Sequence, residues 1–195
     1  VQNSTMASYA TEKTKDSKMN LLVRFNNQTF LNLLNIQQIN SKNELIDEKT
    51  FNQTELNSFQ NKEIESIWEV VPGETYTYLF DYEYIYNREG KQLYFSNHEK
   101  SLEIYAERPD ELEVKALYQL DKESFFVQTN DFGKNILYEF KISDGEKVIS
   151  FESESCTNIL SVSELFSDYT GNMKLNIQVK DSSGEIICET NKGIN

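Results

Sequence analysis

One histidine, two cysteines and a surplus of carboxylates are the residues of this chain that could make or break bonds. His98 lies in the polar run "SNHEK", which reads as a loop. A serine triad would have to be built on it, and no Gly-x-Ser-x-Gly elbow is there to present a serine. Cys156 and Cys188 stand on two separate candidate strands, with no Cys-x-x-Cys pair and no Cys/His spacing suited to zinc. A bridge between them is allowed but not required. Glycoside hydrolysis needs only two carboxylates at a set separation, and among 32 acids the sequence singles out no pair. Glu63, Glu65 and Glu69, like Glu152 and Glu154, alternate along polar faces as solvated residues do. There is no Gly-rich phosphate loop and no dense oxygen-ligand loop for calcium; Asp131, Asp144 and Asp181 fit turn positions. The expectation is a protein that is not an enzyme and has no cofactor.

A different chemistry is written in "ETYTYLFDYEYIYN", Glu74 to Asn87, where Tyr76, Tyr78, Phe80, Tyr82, Tyr84 and Tyr86 occupy alternate positions. A strand turns every second side chain to one face. A strand of about 12 residues spans roughly 40 Å at about 3.3 Å per residue, well beyond the usual length of about five or six residues. The row is therefore expected to start in a core and to run past it. Tyr76, Tyr78 and Phe80 follow the Pro72-Gly73 turn and are expected inside. Tyr82, Tyr84 and Tyr86 stand beside Asp81, Glu83, Asn87 and Arg88 and are expected at the rim. A tyrosine has a flat apolar body and a polar tip, and a sugar has apolar C–H faces and a rim of hydroxyls. Tyr82, Tyr84, Tyr86 and Tyr94 would then stack on a glycan, with Trp68 and Tyr105 as further rings. Asp81, Asn87, Arg88 and His98 would supply hydrogen bonds around the Gly90 turn. The competing reading is that the row fills a thick core or packs against a partner chain, as aromatic stripes usually do.

The elements that must position this row read as short strands. Residues 1–19 are small and polar without apolar periodicity and are expected to form a tail or linker. "NLLVRF" (Asn20–Phe25) is the first strand. "QTFLNLLNIQQINSKNELI" fits a helical face through Phe30, Leu33 and Leu34 and an alternation through Leu31, Leu33 and Asn35; irregular strands and loops are expected there. Phe25–Asn32 and Phe51–Asn57 resemble one another but are too short to be a repeat. From Ile64 the alternation is regular. Glu74–Tyr86 runs to a turn over Asn87–Gln92, and "LYFS" returns. "SLEIYAER", "ELEVKALYQL", "NILYEFKIS", "KVISFES", "MKLNIQVKD" and "IICET" follow, with Asp144-Gly145 as a hairpin signal. Only Asn158–Tyr169 has any helical character in this part. Strands with one apolar face and turn residues between them predict an all-β chain, an antiparallel β-sandwich or jelly roll with little helix. The expected organisation is a tail over 1–19 and one sandwich over 20–195, with room for a sub-boundary near residue 110.

Composition narrows the partners. The net charge is 19 − 32 = −13, the wrong sign for a nucleic acid or an anionic membrane surface. No apolar run approaches the roughly 20 residues of a membrane-spanning helix. Asn-x-Thr triplets at Asn3, Asn27 and Asn52 are common by chance in an Asn-rich chain and weigh little for secretion. The start at Val1, with no signal peptide, is what a processed protein or an excised fragment would have.

"IWEVVPGETYTYLFDYEY" (Ile67–Tyr84) resembles a stretch of the carbohydrate-binding jelly-roll modules found in bacterial glycan-degrading enzymes and bacteriophage tail adhesion proteins, where a strand ends in a Pro-Gly turn followed by Thr-Tyr-Thr. "NLLVRFNNQTFLN" (Asn20–Asn32) is similar to the start of such modules, whereas "GNMKLNIQVKDSSGEII" looks like an immunoglobulin-type hairpin. The resemblance implies a glycan-binding adhesion or targeting module, with a polysaccharide or cell-surface glycan as partner, alongside other chains of a larger assembly. It also implies an extracellular, cell-surface or virion setting, and such modules often hold a structural calcium, for which no motif stands here. The alternative is a structural or protein–protein interaction sandwich of a surface assembly.

Overall fold

The computed structural model describes residues 6–14, 16–26, 31–59, 63–162 and 173–194, and the chain divides into two compact units, Val1–Glu107 and Arg108–Asn195. The first unit has strands β1 (Met6–Thr14), β2 (Lys18–Phe25), β3 (Leu31–Ile39), β4 (Leu45–Asn52), β5 (Ile64–Glu69), β6 (Thr75–Arg88) and β7 (Lys91–Tyr105), with one short helix α1 (Gln53–Ser58). They form two antiparallel sheets in the orders β1-β2-β5 and β4-β3-β6-β7. The second unit has β8 (Val114–Gln119), a 3-10 turn at Leu120–Lys122, β9 (Ser124–Thr129), β10 (Leu137–Ser143), β11 (Val148–Ser153), β12 (Thr157–Ser161), β13 (Met173–Lys180) and β14 (Ile186–Ile194). Its sheets run β12-β9-β8 and β11-β10-β13-β14. Counted along each unit, the first, second and fifth strands make one sheet and the fourth, third, sixth and seventh the other. The chain is thus all-β, and the same three-plus-four sandwich occurs twice, in the manner of immunoglobulin-like domains.

Alternation explains both cores. Leu21, Val23 and Phe25 of β2 and Ile64 and Trp68 of β5 meet Leu34 and Ile36 of β3 and the aromatics of β6 in one buried cluster. In the second unit, Phe125 and Val127 of β9 meet Tyr138, Phe140 and Ile142 of β10 and Met173, Leu175, Ile177 and Val179 of β13. Burying one large apolar side chain contributes about 1.5–3 kcal/mol, so cores of this size hold each sandwich. Among the described residues, none beyond Ala106 joins the first cluster and none before Leu112 joins the second. The stretch 20–195, expected as one sandwich with room for a sub-boundary near residue 110, divides after Glu107 into two units, each around its own core.

The corner that launches β6 is built from local chemistry. The Glu74 N–H donates to the Val71 carbonyl at 3.2 Å across Pro72 and Gly73, and Gly73 has φ 87°. Proline at the second position and a positive-φ glycine at the third define a type II turn. The Tyr76 hydroxyl accepts the Val71 N–H at 2.8 Å, closing a tyrosine corner at the start of the sixth strand. In the second unit the Tyr138 hydroxyl accepts the Phe132 N–H at 3.0 Å, and the Arg108 guanidinium donates to the Phe132 carbonyl.

Four further expectations differ from the structure. The expected tail contains β1, which pairs with β2 from Met6–Phe25 to Thr14–Lys18. Its residues 8–13 are all exposed, because an edge strand can hold its place through backbone bonds without an apolar face. The ambiguous segment around Leu31–Ile39 is one strand bulged between Leu31 and Leu33. "LYFS" and the first five residues of "SLEIYAER" belong to a single strand, β7, so the backbone of His98 is strand rather than loop. The first residues of the stretch with helical character, Asn158–Ser161, lie in β12; residues 163–172 lie outside the described part.

Candidate functional site

The site expected from sequence comes apart along β6. Tyr82 is 2% exposed and Tyr84 5%, so neither presents a ring face to a ligand. Tyr82 meets Phe25 edge-on with ring centroids 5.1 Å apart. Trp68 is fully buried; its indole N–H donates to the Ser66 hydroxyl at 2.8 Å and its ring meets Tyr78 edge-on at 5.3 Å. The Lys49 ammonium stands 4.9 Å from the Trp68 ring centroid, within the range of a cation–π contact. The expectation that Trp68, Tyr82 and Tyr84 form a stacking platform is thus corrected: they are core. The reason lies in strand geometry. Asp81 and Glu83 alternate with the tyrosines and therefore face the opposite side; their polarity describes the outer face and says nothing of the aromatic one. The β3 strand pairs with β6 as far as Leu31–Tyr84, so the sandwich extends further along β6 than expected.

Among the described residues, Ile85, Tyr86, Asn87 and Arg88 pair with Tyr94, Leu93, Gln92 and Lys91 of β7. The turn is Glu89 (φ 52°) and Gly90 (φ 74°), a two-residue type I′ hairpin. The side chains of Tyr86, Asn87, Arg88 and His98 lie outside the described residues. Asp81 is half-buried on the outer face, opposite Asn35. Tyr94 and Tyr105 are 59% and 52% exposed. They are separated by 11 residues of β7, roughly 36 Å at about 3.3 Å per residue, and do not form one platform.

The second core buries a hydroxyl of the same kind. The phenol of Tyr138 is raised above the ordinary tyrosine value by burial, opposed by its bond from the Phe132 N–H, as Tyr78 is raised by burial against its bond from Gln38. Both phenols stay protonated at neutral pH and act as internal hydrogen-bonding struts.

A feature that sequence reading missed is an amide ladder on the outer face of each four-stranded sheet. The Asn35 side-chain amide donates to Glu48 at 2.7 Å and to Thr50 at 2.9 Å, and Gln37 donates to the same Glu48 at 3.5 Å. In the second unit Asn176 donates to Glu189 at 2.8 Å and Asn191 at 2.9 Å, and Gln178 donates to Glu189 at 3.3 Å. The signal was an Asn-x-Gln pair on each of two strands, legible only once their pairing is known. The carboxyl of Glu189 is held below the usual range by the Asn176 and Gln178 amides.

An open pocket of about 520 Å³ in the first unit is lined by Arg24, Ser58, Phe59, Glu63 and Glu65 and contains none of the expected ring residues. Among the described residues no group of three or more His, Cys, Asp and Glu is placed to hold a metal ion. The Asp131, Asp144 and Asp181 carboxylates accept backbone N–H groups of their own turns at 2.8–3.0 Å. Cys156 and Cys188 are both free and pack against the second core. No described helix is long and apolar enough to cross a membrane.

No protein-family model matches this chain, and no curated protein matches it. Among solved structures it is similar to a segment of two fibronectin type III domains from chicken tenascin, at 9% identity over 99% of both chains with a TM-score of 0.47. It is also similar to the FN1–FN3 domains of chicken CNTN1, at 10% identity over 96% of this chain and 63% of that one, TM-score 0.32. A DUF4785 family protein from Legionella pneumophila matches at 14% identity over 95% of this chain and 56% of the other, TM-score 0.33.

Proposed function

We propose that this chain is a non-catalytic pair of β-sandwich units that works by contact with other protein chains, as a structural or interaction element of a larger assembly. The observation that carries the reading is the burial of the aromatic row. Tyr76, Tyr78, Phe80, Tyr82 and Tyr84 are 0% to 5% exposed, so the rings that suited a glycan hold the sandwich together instead. Beside Tyr94 and Tyr105, the surface carries apolar side chains on sheet faces and strand ends, among them Leu45 at 56%, Ile67 at 54%, Leu117 at 63% and Ile159 at 65%. Sheet faces that carry such residues suit a protein partner, whereas a glycan needs a groove with ring faces and converging polar groups. A surface or virion setting, which the sequence resemblance implies, is part of the same proposal.

The test is a calorimetric titration of the full chain with bacterial cell-wall and host polysaccharides, repeated on Tyr94→Ala and Tyr105→Ala. The expected result is no saturable heat for any of the three proteins. A saturable isotherm that is lost in either variant would overturn the protein-contact reading and restore glycan binding on β7.

A further inference from the structure

The three-stranded sheet of the second unit is unusual on its outer side. Leu117, Phe126 and Ile159 are direct cross-strand neighbours on β8, β9 and β12, since Leu117 pairs with Phe126 and Phe126 with Ile159. Their strand neighbours Phe125, Val127 and Leu160 point into the core, so these three point out. Leu117 and Ile159 are 63% and 65% exposed, and Phe126 is half-buried between them. An apolar row therefore crosses the whole width of the sheet. It is flanked on one side by the Lys115–Gln128–Thr157 row and on the other by the Gln119–Ser124–Ser161 row.

The charge of this sheet singles it out further. The strands β8, β9 and β12 contain no Asp or Glu, in a chain that has 32. Each of the other three sheets carries carboxylates on its strands, such as Glu12, Glu65, Glu83, Glu103, Glu139 and Glu189. Two copies of a chain with net charge −13 repel one another wherever acidic faces approach. Among the described sheets, this is the one on which they can meet without opposing carboxylates.

We propose that the outer face of the β8-β9-β12 sheet is a self-association surface and that its occupant is a second copy of this chain; the inference rests on the protein-contact reading above. A row with a central Phe126 is self-complementary about a two-fold axis. Phe126 then faces its own copy, and Leu117 of one protomer faces Ile159 of its partner, as an isologous interface requires. Face-to-face sheets pack about 10 Å apart by interdigitating such side chains. The footprint is three strands by about five residues, on the order of 250 Å² per copy from strand spacing and rise. Stable interfaces bury about 800 Å² per partner, so the dimer is weak and forms with rising concentration. Its dependence on salt is also set: screening the net negative charge strengthens it, the reverse of an association driven by opposite charges.

Sedimentation equilibrium of the full chain tests this, from about 10 µM to about 1 mM, the range over which weak dimers form, at low and at high salt. The expected result is a monomer–dimer equilibrium that tightens with salt. Leu117→Glu and Ile159→Glu each place a carboxylate on the face and are expected to weaken it at least tenfold, with circular dichroism unchanged. Leu117→Thr and Ile159→Thr, which keep strand-forming side chains, are read in the same way if a Glu variant fails to fold. Ile67→Glu, on the first unit, is expected to leave the equilibrium as it was. A wild type that stays monomeric throughout, or a dimer untouched by the Leu117 and Ile159 variants, overturns the inference. Either outcome leaves the protein-contact reading standing, since that reading falls only to a glycan isotherm.

Discussion

At Tyr82 a binding platform and a core demand opposite behaviour from the same substitution. A stacking residue can be truncated with loss of binding and little loss of stability. A core aromatic cannot: removing a buried ring typically costs about 3–5 kcal/mol. Tyr82→Ala is expected to lose on that scale, because its ring is 2% exposed and packs edge-on against Phe25. Thermal melting followed by circular dichroism checks it, and a melting temperature within a degree or so of the wild type would mean the ring is not buried in solution. Tyr76→Phe isolates a smaller term. It leaves the Val71 N–H without its acceptor and is expected to cost about 1–3 kcal/mol. Glu139 provides a pH signature in the other unit. Its carboxyl accepts the Lys180 ammonium at 2.5 Å and lies 3.3 Å from Lys141, and the Lys180 bond holds it below the ordinary value of 4.5. A depressed folded-state value stabilises above the unfolded value and loses that stabilisation as pH falls through the folded one. Glu139→Gln is therefore expected to cost roughly 0.5–1 kcal/mol at neutral pH, in the range of partly exposed ion pairs, and nothing once both proteins are fully protonated in acid. Urea melts at neutral and acid pH measure the difference.

Strands were legible in the sequence in proportion to how differently their two faces are treated. The β13 strand reads Met173, Leu175, Ile177, Val179 against Lys174, Asn176, Gln178, Lys180, and the first four are buried. Strands with two exposed faces carry no such pattern, which is why β1 looked like a tail. The β12 strand failed for another reason: its outer Ile159 is as apolar as its inner Leu160, so alternation is lost where the outer face is also hydrophobic. The aromatic row was misjudged by a subtler step. Its strand was readable, but how far the core runs along it depends on the pairing of β3, which reaches Tyr84 at Leu31, and nothing within residues 74–87 records that. The β6-β7 hairpin also carries a prediction of its own. Glu89 sits at φ 52° before Gly90 at φ 74°, a conformation that Asn accepts more readily than Glu. Glu89→Asn is expected to raise stability by about 0.5–1 kcal/mol, whereas Gly90→Ala lowers it by about 1–2 kcal/mol, the cost of a Cβ in the left-handed region. Opposite shifts in the urea midpoint would bear this out; equal and negligible shifts would mean the arm frays before the sandwich unfolds.

The repetition of one topology was invisible at the level of the whole chain. The two fragments that resemble each other in sequence, Phe25–Asn32 and Phe51–Asn57, both lie in the first unit; the first starts at the end of β2, and the second runs from the end of β4 into α1. What the units share is the order of strands in their sheets, which is a pattern of which faces are apolar and not of which residues supply them. The first core is rich in tyrosine and contains Trp68, whereas the second relies on Phe132, Phe140 and aliphatic side chains. Separate cores make a definite expectation. The fragments 1–107 and 108–195 should each fold alone, with strand-type circular dichroism and a single cooperative melt, since a seven-strand sandwich of about 90–110 residues is of ordinary domain size. Tyr82→Ala should then lower the melt of the first fragment by the same amount as it lowers the corresponding transition of the full chain. Phe140→Ala should do so only in the second fragment, where that ring is fully buried. If either fragment stayed unfolded, or if each variant destabilised both halves of the full chain alike, the boundary after Glu107 would not be a boundary of folding, and the two cores would have to be treated as one cooperative structure.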